Sequence, residues 1–133
     1  MALTTSQQKL RIGNKAPDFK LKGADGKEYS LKNFSGLPLL IIFMCNHCPY
    51  VQAKIDAIIK LQEKFAGRIS VLGINSNAGY PGDDFENMKN FVAERGINFP
   101  YLYDETQSIA RAYGAVCTPD PFLFDKDMKL VFQ

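Results

Sequence analysis

Apolar residues fall along the chain with two alternating periods, one matching strands and the other helices. From Ala16, the segment APDFKLKGADGKEYSLKNFSG places apolar residues at Phe19 and Leu21, then at Tyr29 and Leu31, around a turn at Ala24-Asp25-Gly26. This alternation predicts two short strands joined as a hairpin. Pro38 to Met44, PLLIIFM, is an unbroken apolar run of strand length, as expected of a central strand covered on both faces. In the following CNHCPYVQAKIDAIIKLQEKFAG, Val51, Ile55, Ile58, Ile59 and Phe65 recur at helical spacing, and Gly67 marks the stop. Cysteine chemistry therefore sits at a strand-to-helix junction.

Ile69 to Ile74, ISVLGI, predicts a second buried strand, AGYPGDD a loop, and Phe85 to Glu94 a second helix with Phe85, Met88, Phe91 and Val92 on one face. A short stretch from Phe99 to Tyr103 and a small helix near Thr106 to Tyr113 follow. VCTPDPFLFDKDMKLVF then predicts two antiparallel strands joined at Asp125-Lys126-Asp127. The β-α-β-α order implies a parallel sheet core, hence an α/β fold. Residues 1–13 are expected to form a flexible tail and residues 14–133 one domain. The chain stops at its last expected strand, so a terminal helix is expected to be missing from one sheet face, through truncation or because another chain covers it.

Length and composition narrow the function classes. A chain of 133 residues with 46% apolar content suits one hydrophobic core. Its balance of 16 basic and 14 acidic residues, net +2, provides no basic stripe for a phosphate backbone, so nucleic acid is not an expected partner. The polar start MALTTSQQKLRIGNK lacks the apolar stretch of a signal peptide, and the apolar run from Leu37 to Met44 is too short to span a bilayer. The expectation is a cytoplasmic protein with no membrane partner. No glycine-rich phosphate loop is present, so no nucleotide or flavin cofactor is expected.

The chain has 3 cysteines, an odd number that argues against a fully paired framework, and Cys45 and Cys48 are spaced C-x-x-C. The thiolate is the reactive form, and a helix N-terminus favours it through unpaired N–H donors and the positive end of the helix dipole. Pro49 fits the first helical turn, where its missing N–H costs nothing. Two intervening residues allow one sulfur to fold back and resolve a mixed disulfide on the other. His47, as an imidazolium between them, would stabilise the Cys45 thiolate and raise the reduction potential. Zinc is the competing reading: Cys45, His47, Cys48 and Cys117 could supply ligands, but no second C-x-x-C or C-x-x-H accompanies them and His47 lies inside the pair.

A second constellation is Val116-Cys117-Thr118-Pro119-Asp120-Pro121, leading into Phe122-Leu123-Phe124. A proline opening a buried strand is a candidate for a cis bond, with a simple turn as the alternative. Cys117 is then either a third thiol near the pair or a small buried apolar residue, the reading favoured here. Tyr50, Phe43 and Phe122 are expected to line the core or a groove. Tyr80-Pro81-Gly82-Asp83-Asp84 is expected to be a solvated loop capping the next helix, with a place bordering the site as the alternative.

Taken together, these residues resemble the thioredoxin superfamily, in particular its redoxin branch of peroxiredoxin-like, AhpC/TSA-like proteins. The resemblance runs from Ala16 through nearly the whole chain. Ala16-Pro17-Asp18-Phe19, Gly26-Lys27 and Leu31-Lys32-Asn33-Phe34-Ser35-Gly36 are similar to that branch's opening hairpin. Cys45 to Cys48 is similar to its active-site pair, and Thr118-Pro119 to its cis-proline loop. The resemblance implies a thioredoxin-like fold, a central mixed sheet flanked by helices. It implies Cys45 as attacking thiol, Cys48 as resolving thiol and Pro119 packed against the disulfide, with Thr118, Cys117 and Tyr50 bordering the substrate groove.

Departures from the family refine that expectation. The peroxiredoxin frame Pro-x-x-x-Thr-x-x-Cys is absent: Cys45 stands at its threonine position, and Pro119 stands about where its arginine would lie. Without those donors to polarise an O–O bond, efficient peroxidase activity is not expected. The place of the buried acid of thioredoxins is Leu39, so His47, water or Asp120 must handle the proton of Cys48. The expected function is thiol–disulfide exchange or antioxidant activity at Cys45 and Cys48. The alternatives are a thiol peroxidase and a non-catalytic binding or sensing module. Expected partners are protein or small-molecule disulfides, peroxides under the second reading, a thioredoxin or glutathione reductant, and other copies of the chain in an oligomer.

Overall fold

The computed structural model describes residues 10–46, 48–77, 82–115 and 118–133. Its strands are β1 (Lys20–Gly23), β2 (Glu28–Ser30), β3 (Leu39–Phe43), β4 (Ser70–Asn75), β5 (Tyr101–Tyr103), β6 (Asp120–Phe124) and β7 (Leu130–Phe132). The helices are α1 (Pro49–Lys64), α2 (Phe85–Arg95) and α3 (Ser108–Tyr113). The strands form one sheet in the order β2-β1-β5-β4-β3-β6-β7. The β3-β4 and β4-β5 pairs are parallel, and the other pairs are antiparallel. This is the mixed sheet of a thioredoxin-like α/β fold.

The hairpin forms with Leu21 opposite Tyr29. Leu31, expected to continue the second strand, instead opens a 3-10 turn over Leu31–Phe34. The cause is local: the Asn33 side chain accepts the Ser30 N–H at 2.7 Å, which curls the chain away from its partner strand. The turn buries Phe34 against Phe19, with ring centroids 6.3 Å apart.

The apolar run of β3 supplies both faces of the sheet, because successive side chains point to opposite sides. Leu39, Ile41 and Phe43 join a core with Leu72, Ile74, Leu102, Tyr113, Phe122 and Phe124. Ile42 and Met44 join the opposite core with Val51 and Ile55 of α1, Met88 and Phe91 of α2, and Tyr101. Ile58 and Ile59 are only partly buried there. Strand β3 is thus held between β4 and β6, and its carboxyl end is the fixed point from which the C-x-x-C turn departs.

Candidate active site

The chain leaves β3 at Phe43 and passes through Met44, Cys45 and Asn46 before α1 begins at Pro49. Cys48 is the N-cap residue of α1, with extended backbone (φ −65°, ψ 122°), and Pro49 follows in the first turn as the sequence implies. Both sulfurs are free thiols. Cys45 is 4% exposed, whereas Cys48 is only half-buried.

The register of β6 brings the second constellation to the same place. Asp120 pairs with Phe43, so the residues just before β6 lie beside those just after β3. The Thr118–Pro119 peptide bond is cis, as expected. Thr118 Oγ1 lies 3.7 Å from Cys45 Sγ, and the Cys48 thiol donates to the Thr118 carbonyl at 3.4 Å. One residue of the proline loop therefore touches both sulfurs, although it is separated from Cys45 by 73 positions.

The two thiols experience different surroundings. Burial pushes the Cys45 thiol above its ordinary pKa; the Thr118 hydroxyl offsets part of that rise, and the nearby Asp83 carboxylate adds to it. For Cys48, burial also acts upward but is outweighed by hydrogen bonding. Thr118, the backbone N–H groups of Val51 and Tyr50 in the first turn of α1, and the Cys45 thiol together hold Cys48 below its ordinary value. Of the two thiols, Cys48 is therefore the more readily ionised.

Tyr50, expected at the groove, is 72% exposed and stands next to Pro49 at the start of α1. His47 and Cys117, and the Tyr80-Pro81 part of the loop before α2, lie outside the described residues. Among the described residues, no group of three or more His, Cys, Asp or Glu side chains could hold a metal. Asp83 falls in the loop expected to cap the next helix, for which a place at the border of the site is the alternative reading. It lies 37 positions from Asn46 in a segment that reads as solvated loop, yet it is buried against the cysteine turn. The polar composition of that segment does not single out Asp83 as its buried member.

A reactive dithiol at a strand-to-helix junction, under a cis-proline loop on a mixed sheet, defines a thioredoxin-like thiol–disulfide oxidoreductase. The chain belongs to the AhpC/TSA family, which it matches over residues 12–133. Among curated proteins it is similar to thiol-disulfide oxidoreductase ResA of Bacillus thuringiensis subsp. konkukian, at 27% identity over 128 residues, covering 96% of this chain and 71% of that protein. Among solved structures it is similar to a conserved protein from Geobacillus kaustophilus, with a TM-score of 0.89 and 42% identity, covering 92% of this chain and 67% of the other. It is also similar to the exposed lipoprotein thioredoxin Etrx1 of Streptococcus pneumoniae, with a TM-score of 0.76 and 26% identity, covering 87% of each chain.

Proposed function

We propose that this oxidoreductase exchanges electrons with protein disulfides through the Cys45/Cys48 couple, and that a thioredoxin or glutathione system reduces it again. The observation that carries this reading is the contact of both sulfurs with Thr118 at the mouth of the helix. In the reduced enzyme Cys48 is the more exposed and the more readily ionised of the two, and its thiolate, once formed, meets the incoming disulfide first. It displaces one substrate thiolate and forms a mixed disulfide. Cys45, after losing its proton, then attacks Cys48 and releases the second substrate thiolate. The products are a Cys45–Cys48 disulfide and a reduced substrate. This order reverses the one implied by the resemblance, and its support is the opposite environment of the two thiols.

Exposed Tyr50, two residues beyond Cys48, and the Thr118–Pro119 loop, which touches both sulfurs, are the surface on which a substrate chain would lie. A cytoplasmic setting is part of the reading, and in such a reducing compartment the resting state is a dithiol. The more exposed position and lowered pKa of Cys48 also favour a second reading, hydroperoxide reduction, in which Cys48 becomes a sulfenic acid and Cys45 condenses with it to release water.

Turnover of a model protein disulfide, with peroxide consumption measured in parallel, tests both. The first reading expects disulfide turnover that is lost in Cys45→Ser and Cys48→Ser, with trapped mixed disulfide accumulating on Cys48 in the Cys45→Ser variant. Mixed disulfide accumulating only on Cys45 would reverse the order of attack. Rapid peroxide consumption with little disulfide turnover would establish the peroxidase instead.

A further inference from the structure

Asn46, between the two cysteines, has all of its polar groups bound. Its backbone N–H donates to Asp83 Oδ1 at 2.6 Å, and its Nδ2 donates to the Gly82 carbonyl at 2.9 Å. Its Oδ1 accepts the Tyr101 hydroxyl at 2.8 Å, and its carbonyl accepts Gln52 Nε2. Asn46 is 5% exposed, so the first residue inside the C-x-x-C turn faces the protein rather than a substrate.

Asp83 is the centre of this arrangement. It is 1% exposed, and its second oxygen accepts Asn77 Nδ2 at 3.0 Å. Its partners among the described residues are thus amide groups, which satisfy its hydrogen bonding without neutralising its charge. The carboxylate is fixed to the residue next to Cys45, and a second negative charge so close in a water-poor site is disfavoured. Among the described residues, the titratable groups acting on Cys45 from the packed elements are Asp83, Cys48 at the start of α1, and Tyr101 on β5. Tyr101 stays neutral, because burial first, and then the charges of Asp83 and Cys45, raise its pKa well above the ordinary tyrosine value.

We propose that Asp83 is a positioning residue for the redox pair: it clamps the turn through the Asn46 main chain, and its buried charge, held beside Cys45, opposes the formation of a second negative charge there. This deepens the Cys45/Cys48 reading and rests on it. The structural half of the role could be filled by any hydrogen-bond acceptor. The electrostatic half requires the charge, and only that half alters the chemistry of Cys45.

The test is the pH profile of Cys45 alkylation, located by tandem mass spectrometry, in full-length Cys48→Ser and in Cys48→Ser with Asp83→Asn. Asparagine keeps an oxygen for the Asn46 N–H but removes the charge. The expected result is a profile moved to lower pH, read as roughly tenfold faster Cys45 alkylation at a fixed neutral pH. An unmoved profile in a folded Asp83→Asn protein overturns the proposal and leaves Asp83 a structural clamp. Asp83→Ser, a smaller neutral acceptor, carries the same expectation if the asparagine variant does not fold. The profile is read on the thiol itself, and wild-type disulfide turnover is measured separately. A chain with no turnover but a shifted profile would fail the functional reading while supporting Asp83's charge on Cys45.

Discussion

Cys45 and Cys48 lie one helical turn apart in sequence and differ in what their sulfurs touch. Thr118 is the group they share, and its hydrogen bonding lowers the pKa of both thiols. Thr118→Val keeps the shape of the loop and removes the hydroxyl that lies 3.7 Å from Cys45 Sγ. Both thiols should then titrate at higher pH, and thiolate absorbance near 240 nm at neutral pH should fall. An unchanged titration would mean that the hydroxyl is not a partner of either sulfur. The lowered pKa of Cys48 also gives stability a sign: its contribution is present above the unfolded-state pKa and is lost as pH falls through the folded value. At this scale the sequence made the cysteines and the cis-proline legible, because spacing and helix-start chemistry are local. Asp83 was legible only as a member of a loop with a place at the border of the site as the alternative, because its burial depends on where β4 and the following loop come to rest against the turn.

Two glycines show how the elements hold that turn. Gly73 lies in β4 beside the end of β3, and a Cβ there would approach Met44 Sδ to 3.0 Å and the Phe99 and Tyr101 rings to 3.1 Å. Met44 precedes Cys45, and Tyr101 holds Asn46, so crowding at Gly73 reaches the site from below. Gly73→Ala should cost about 1–3 kcal/mol through overpacking and should also disturb the Cys45 alkylation profile. Gly96 ends α2 with φ +66°, and nothing lies near the place its Cβ would occupy. Gly96→Ala should therefore cost about 1–2 kcal/mol from backbone strain alone, with the thiols unaffected. Thermal melts paired with thiol titration separate the two. Equal thiol profiles in both variants would show that β4 does not transmit to the turn. The helices were legible from their period and stops. The 3-10 turn at Leu31 was not, because one Asn33 side chain overrode an alternation that otherwise reads as strand.

Across the whole molecule, the sheet separates two cores with different duties. One lies beneath α1 and α2 and carries the turn from below through Met44 and Tyr101; the other is aromatic, with Tyr113 of α3 at its centre. The Tyr113 ring meets Phe43 at 5.5 Å, Phe122 at 5.8 Å and Phe124 at 6.0 Å between centroids, tilted against the first and edge-on to the other two. Its hydroxyl donates to the Pro17 carbonyl at 2.6 Å, joining α3 to a segment 96 positions earlier. The apolar pattern foretold that such a core exists but not this closure, since a tyrosine in a short helix does not announce a carbonyl near the start of the domain. Tyr113→Phe leaves the ring packing intact and strands the Pro17 carbonyl, so it should cost about 1–3 kcal/mol, seen as a lower urea midpoint with an unchanged slope. Because this core lies on the face away from α1 and Asp83, the alkylation profiles of Cys45 and Cys48 should stay where they are. A shift in those profiles would mean that the two faces are coupled through β3 and β6, the strands that carry Phe43 and the proline loop into both the aromatic core and the site.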